Sequence, residues 1–80
     1  MPRFSARWLE IALEHYDALP AATQRQIDAR VEQLLESREG PREAYDSRRD
    51  QWVSAYGDGA GLILYAVVHE HRRVLILRLV

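Results

Sequence analysis

Lysine is missing altogether from this chain: its eleven basic residues are all arginine, and they stand against twelve carboxylates for a net charge of −1. A lysine general base or Schiff base is therefore excluded. Any cationic work falls to guanidinium groups, which stay charged and bind phosphate or carboxylate as forks. Cysteine is also absent, so there is no disulfide framework and no thiolate metal site, as suits a reducing compartment. Three histidines without cysteine give no recognisable ligand spacing beyond His69 and His71, and that pair at a strand end is a weak signal, so no metal or cofactor is expected. No stretch approaches the roughly 20 apolar residues of a membrane span. Met1-Pro2-Arg3 leads into an amphipathic segment carrying Glu10, Glu14 and Asp17 rather than into a signal peptide. A cytoplasmic protein is expected. The near-neutral balance withholds the surplus positive charge by which nucleic-acid binders usually announce themselves.

What is present is concentrated in the last thirty residues. Residues 51–56, 62–69 and 74–80 read as three β-rich runs, separated by Gly57-Asp58-Gly59-Ala60-Gly61 and by Glu70-His71-Arg72-Arg73. Glycine tolerates positive φ, so the first break is a place where the chain reverses. Three hairpin-linked strands make an antiparallel meander. The runs Leu62-Ile63-Leu64-Tyr65-Ala66-Val67-Val68 and Val74-Leu75-Ile76-Leu77 do not alternate apolar with polar. A sheet with one wet face would alternate, so both faces should be covered. Helices cover one, and an 80-residue chain has little left for the other, which points to a partner.

The helices precede the meander. Ser5 is a candidate N-cap, and Trp8, Ile11, Ala12, His15, Tyr16 and Leu19 follow at the spacing of one helical face. Leu19-Pro20 ends this helix, and proline suits the first turn of the next. Ile27, Val31, Leu34 and Leu35 mark a second buried stripe, and Thr23 with Gln26 offers a capping box. The short connection makes an antiparallel helical hairpin. Ser37 to Asp50, with Gly40-Pro41 and four arginines against four acids, reads as an exposed connector. The chain is thus one small domain near the lower size limit for a self-sufficient core: helical hairpin 5–37, loop 38–50, meander 51–80. Its class is α+β, a helical hairpin on one face of a three- to four-stranded antiparallel sheet, with Arg3-Phe4 adding at most a residue or two of edge strand.

In combination, several of these segments resemble the RelE/ParE superfamily, the small toxins of bacterial type II toxin-antitoxin operons. The marks are Asp17-Ala18-Leu19-Pro20 at the helical turn with Arg25-Gln26-Ile27-Asp28 after it, and Leu34-Leu35-Glu36-Ser37 closing the second helix. Trp52 opens a strand that runs to Gly57-Asp58, and Leu64-Tyr65-Ala66-Val67 and Arg73 to Val80 complete the set. The resemblance implies a toxin neutralised by a cognate antitoxin. In the RelE branch the concave sheet face enters the ribosome and cleaves mRNA, basic or tyrosyl groups assisting attack of a ribose 2′-hydroxyl on the neighbouring phosphate. The ParE branch acts on DNA gyrase and needs no nuclease groups, which is the alternative reading: a non-catalytic toxin-like binding module.

The family's nuclease members carry basic residues at positions that here hold Val53 and Ala55. They carry an arginine where this chain has Gly61-Leu62-Ile63-Leu64, and a further basic pair beyond the last strand, where this sequence stops at Val80. A shortened form of a longer chain is one expectation that follows. Arg78 matches an arginine many members have at this point of the strand, and it interrupts an apolar run where an unpaired guanidinium is costly to bury. It is the candidate catalytic residue, expected to line the open face or to pair with an acid. Cleavage needs a base, an acid and a cation; His69 and His71 are candidates for the first two, although a polar hairpin tip more often is plain solvated turn. Arg48, Arg49, Arg72 and Arg73 are the candidate RNA contacts. Val53, Ala55, Val74 and Ile76 are assigned to a partner-covered face, the last two sharing strand parity with Arg78. Self-association through that uncovered apolar face is a further expectation.

Overall fold

The computed structural model describes residues 4–36, 44–57 and 59–80. In chain order they form β1 (Ser5–Trp8), α1 (Glu10–Asp17), α2 (Ala21–Glu36), β2 (Ala44–Asp46), β3 (Gln51–Tyr56), β4 (Gly61–Val68), one 3-10 turn (His69–His71) and β5 (Arg73–Leu79). The strands make one sheet in the order β1-β5-β4-β3-β2. β3, β4 and β5 pair antiparallel in succession, as the meander reading expects; β2 adds to β3 antiparallel, and β1 runs parallel to β5. The α+β arrangement holds, with five strands in a mixed sheet in place of three or four antiparallel ones.

The two additional strands are both edges, built from segments that read as something else. Ser5 to Trp8 fits the start of an amphipathic helix, yet it also alternates: Ala6 and Trp8 turn towards the core, Ser5 and Arg7 away from it. The strand wins because β5 offers it a free edge. Its ladder is extended by Ser5 N–H to the Arg72 carbonyl at 2.9 Å and Leu9 N–H to the Ile76 carbonyl at 3.0 Å. Helix α1 therefore starts at Glu10, with Leu9 rather than Ser5 at the cap and no capping side chain. Part of the expected connector also pairs: Tyr45 lies opposite Trp52, their rings 4.9 Å apart. Gly40-Pro41 and Arg42 fall outside the described residues.

Helix α2 is the principal cover of the sheet. Ile27, Val31, Leu34 and Leu35 are its buried residues, the i, i+4, i+7, i+8 stripe of its sequence. Proline at 20 sits just before the first helical residue, where its lack of an N–H costs nothing; the helix is already under way at Thr23, so no capping box forms there. In the shorter α1 only Ala12 is fully buried; Tyr16, and Leu19 just beyond the helix, pack against the core. His15 is exposed and Ile11 is 55% exposed, so neither belongs to the buried face that their spacing implies. The helices are tied by the Tyr16 hydroxyl, which donates to Asp28 at 2.8 Å, and by Gln24, which donates to the Tyr16 carbonyl at 2.8 Å.

The core lies between these helices and one face of the sheet, where Ile63, Tyr65, Val74 and Ile76 are all 0% exposed. Ser54 is the buried polar residue of this layer. Its hydroxyl accepts from Arg30 Nε at 2.7 Å, so α2 satisfies a polar group that β3 carries inside. At the β3–β4 turn Gly57 and Gly59 take φ of +59° and +91°, a backbone conformation that glycine adopts without a Cβ penalty. At the β4–β5 turn the same job falls to Arg72, at φ +49°.

Candidate functional site: the open sheet face

Each strand has two faces, and the helices take only one. Residues paired across the other face are Val53 with Leu64, Ala55 with Leu62, Ala66 with Leu75, and Leu64 with Arg78. Arg7 lies opposite Leu75, and Ser5 opposite Arg73, on the same side. No described helix lies over these positions, and they range from half-buried to exposed. The apolar composition of β4 and β5 is thus split evenly, half of it into the core and half onto an open aliphatic surface.

Simple parity puts Arg78 on the side of Val74 and Ile76, in the core. The structure avoids this with an irregularity in the β4–β5 ladder: Tyr65 pairs with Ile76 and Leu64 with Arg78, leaving Leu77 as an extra residue between them. A bulge of this kind turns two successive residues towards one side. Leu77 and Arg78 both face the open side, and Leu79 returns to the core at 3% exposure. Burying the guanidinium without a partner would be prohibitive, so the bulge reconciles an apolar strand with one arginine.

Around Arg78 the open face deepens into a groove of about 340 Å³, lined by Leu9, Ile11, Arg49, Gln51, Leu64, Leu77 and Arg78. Leu64 and Leu77 form its floor. The turn from β1 into α1 gives one rim and the β2–β3 turn the other, the latter held by the Tyr45 hydroxyl donating to Asp50 and by the Arg48 N–H donating to Asp46. The bond to Asp50 raises the Tyr45 pKa above its usual value. No ion pair engages Arg49 or Arg78 among the described residues. The carboxylates of α1 and α2 (Glu10, Glu14, Asp17, Asp28, Glu32 and Glu36) belong to the helical layer, so a net charge of −1 conceals an acidic helical side and an arginine-bearing sheet side.

The sequence-assigned residues separate accordingly. Arg78 and Arg49 converge on the groove, and Arg48 is exposed in the turn beside it. Arg72 and Arg73 sit with His69 and His71 at the opposite end of β5, five residues and roughly 15 Å of strand away from Arg78. The histidines and Arg78 therefore do not share one site. Val53 and Ala55 lie on the open face. Val74 and Ile76 do not: both are 0% exposed beneath the helices, so their expected place on the open face is corrected, and it is their neighbours Leu75 and Leu77 that take that side. Sequence reasoning missed Arg7, Leu9, Ile11 and Gln51; the alternation in Ser5-Ala6-Arg7-Trp8 is a local signal for Arg7 alone. Among the described residues no group of His, Asp or Glu is arranged to hold a metal ion, and no helix is long and apolar enough to cross a membrane.

No protein-family model and no curated protein sequence matches this chain. Solved structures do. The isolated E. coli RelE toxin superposes with a TM-score of 0.80 at 17% identity, over 95% of this chain and 81% of that one. The intact E. coli RelBE toxin-antitoxin complex gives 0.73 at 19% identity, over 95% and 93%. The archaeal RelE-RelB complex from Pyrococcus horikoshii gives 0.64 at 20% identity, over 99% and 93%. With nearly the whole chain superposed, helices and sheet together, this protein has a RelE-like toxin fold.

Proposed function

We propose that this chain is the toxin component of a type II toxin-antitoxin pair, a RelE-like protein that inhibits translation by ribosome-dependent mRNA cleavage and is neutralised by a cognate antitoxin. The observation that carries the reading is the uncovered sheet face, aliphatic in its floor and bearing Arg78 and Arg49 at its groove, on a fold shared with RelE in both its free and its antitoxin-bound forms. In this reading Arg78 supplies the cation that stabilises charge developing on a phosphate under attack by the adjacent 2′-hydroxyl, and Arg49 holds the neighbouring backbone phosphate.

One specific observation favours a second reading. Both charged groups lining the groove are guanidiniums, which do not act as proton acceptors at physiological pH. A face that has the cation but neither base nor acid binds a phosphate or carboxylate without cleaving anything. On this second reading the chain is a non-catalytic module, a ParE-like gyrase inhibitor or a toxin that works by contact alone.

Induced expression with and without the product of the neighbouring gene, read by growth and by primer extension on mRNA, separates the two. Arrest with cleavage in the ribosomal A site, lost in Arg78→Ala, supports the nuclease. Arrest with intact mRNA supports the module, and no arrest under any condition would sink the toxin reading.

A further inference from the structure

The strands β1, β3, β4 and β5 carry three charged residues between them, Arg7, Arg73 and Arg78, and no carboxylate. All three are exposed and lie on the open face, and their guanidiniums make no hydrogen bond or ion pair among the described residues. The register sets them at even steps. Arg73 stands opposite Val68 of β4, Leu75 opposite Ala66 and, past the skipped Leu77, Arg78 opposite Leu64; Arg7 stands opposite Leu75 on the β1 side. The three levels are thus two β4 residues apart, about 7 Å each time, and the bulge that turns Arg78 outward also sets its level. We propose that Arg73, Arg7 and Arg78 are a phosphate track on the β1–β5 side of the open face, holding the backbone of a single-stranded RNA that leaves the Arg78 and Arg49 groove towards the β4–β5 turn. The proposal rests on the reading of that groove as the place of cleavage, and adds to it Arg7 and a course for the strand.

Cations that repeat at one interval, with no acid in the strands between them, complement a polyanion of regular spacing, and the guanidinium fork suits a phosphate. The strand aromatics Trp8, Trp52, Tyr56 and Tyr65 belong to the core layer, so this face offers no ring from β1, β3 or β4 on which a base would stack. The grip is therefore on the phosphates. Contacts of that kind position a strand without reading its bases, so the track carries no sequence preference.

Fluorescence anisotropy across a salt series tests this, using the full chain made by cell-free synthesis and a 2′-O-methyl oligoribonucleotide of about twelve nucleotides, which cannot be cut through its 2′ oxygen. For a single strand, log K falls against log salt with a slope of about 0.7 for each phosphate engaged. Arg7→Gln and Arg73→Gln should each lower that slope by about 0.7, and together by about 1.4, equally for two unrelated sequences. Arg25→Gln, at an exposed position of α2, changes the net charge by the same amount and should leave the slope alone. An oligonucleotide that does not bind at low salt overturns the proposal, as does a slope indifferent to Arg7→Gln or one that Arg25→Gln lowers as much. A polyglutamate peptide that binds through Arg7 where the oligonucleotide does not would assign the track to an acidic protein and overturn it equally. Cleavage on programmed ribosomes is scored separately. Cleavage that Arg78→Ala abolishes, with a slope indifferent to Arg7→Gln, refutes the track and leaves the nuclease standing; an Arg7-dependent slope in a chain that cleaves nothing does the reverse.

Discussion

Leu64 stands opposite Arg78 across the β4–β5 ladder, while its neighbour Tyr65 stands opposite Ile76, and the residue skipped between them decides which side of the sheet the arginine faces. The consequence is a sharp contrast between neighbours in sequence. Ile76→Ala removes a side chain at 0% exposure and should cost about 2–5 kcal/mol in urea unfolding. Leu75→Ala and Arg78→Ala, on the open face, should each stay within about 1 kcal/mol. Equal losses at positions 75 and 76 would refute the face assignment.

The Arg30–Ser54 bond is the polar tie between α2 and the sheet. Arg30 Nε donates to the Ser54 hydroxyl at 2.7 Å, and the same guanidinium donates to Gln33 at 2.7 Å. Arg30→Ala leaves a hydroxyl at 1% exposure without its donor and should destabilise by about 1–3 kcal/mol. In a double-mutant cycle, adding Ser54→Ala should recover part of that loss. Strict additivity would mean that the bond carries no coupling.

Tyr65 is 0% exposed, and its hydroxyl has no hydrogen-bond partner among the described residues. Burial pushes its pKa up to about 12, with the Arg30 charge opposing. The folded chain therefore holds this proton more tightly than the unfolded chain, whose tyrosine titrates near the ordinary value of 10.0. The resulting contribution is complete below pH 10 and is lost as pH rises towards 12. Tyr65→Phe should raise stability by about 1 kcal/mol near neutrality and flatten the alkaline loss. Guanidinium melts of both proteins at neutral and alkaline pH check this, and a less stable phenylalanine variant would contradict it.

Gly57 combines φ of +59° with a neighbour: a Cβ there would lie 2.6 Å from Gln26 Oε1, whereas a Cβ at Gly59, at φ +91°, meets nothing within 4 Å. Gly57→Ala should cost about 1–2 kcal/mol from the left-handed backbone, with Gln26 swinging aside. Gly59→Ala carries the backbone strain alone. Thermal melts should show both variants less stable than the parent, and Gln26→Ala should recover part of the Gly57→Ala loss and none of the Gly59→Ala loss.

Much of this architecture was legible locally. The α2 stripe Ile27, Val31, Leu34, Leu35, the break at Pro20 and the Gly57/Gly59 reversal each rest on chemistry within a few residues. The edges were not. A four-residue strand and a three-residue strand carry too few periods to outweigh a competing helical or loop signal, and Trp8 fits both patterns. Choosing Val74 and Ile76 for the open side was a question of side rather than pattern, since an all-apolar strand offers its two faces equally.

The sequence by itself determined the class of fold: a helical layer with one apolar stripe, a meander too apolar on both faces to stand alone, and cations that are guanidinium or nothing. Those properties follow from backbone periods and side-chain chemistry, which act over distances of a turn or a few strand residues. Only the tertiary structure decided that β1 closes the sheet in parallel, that Leu77 is skipped, and that Arg78 joins Arg49 over a leucine floor while the histidines are left at the far end. Pairing register and the choice of covered face depend on partners distant along the chain, so they are fixed by packing.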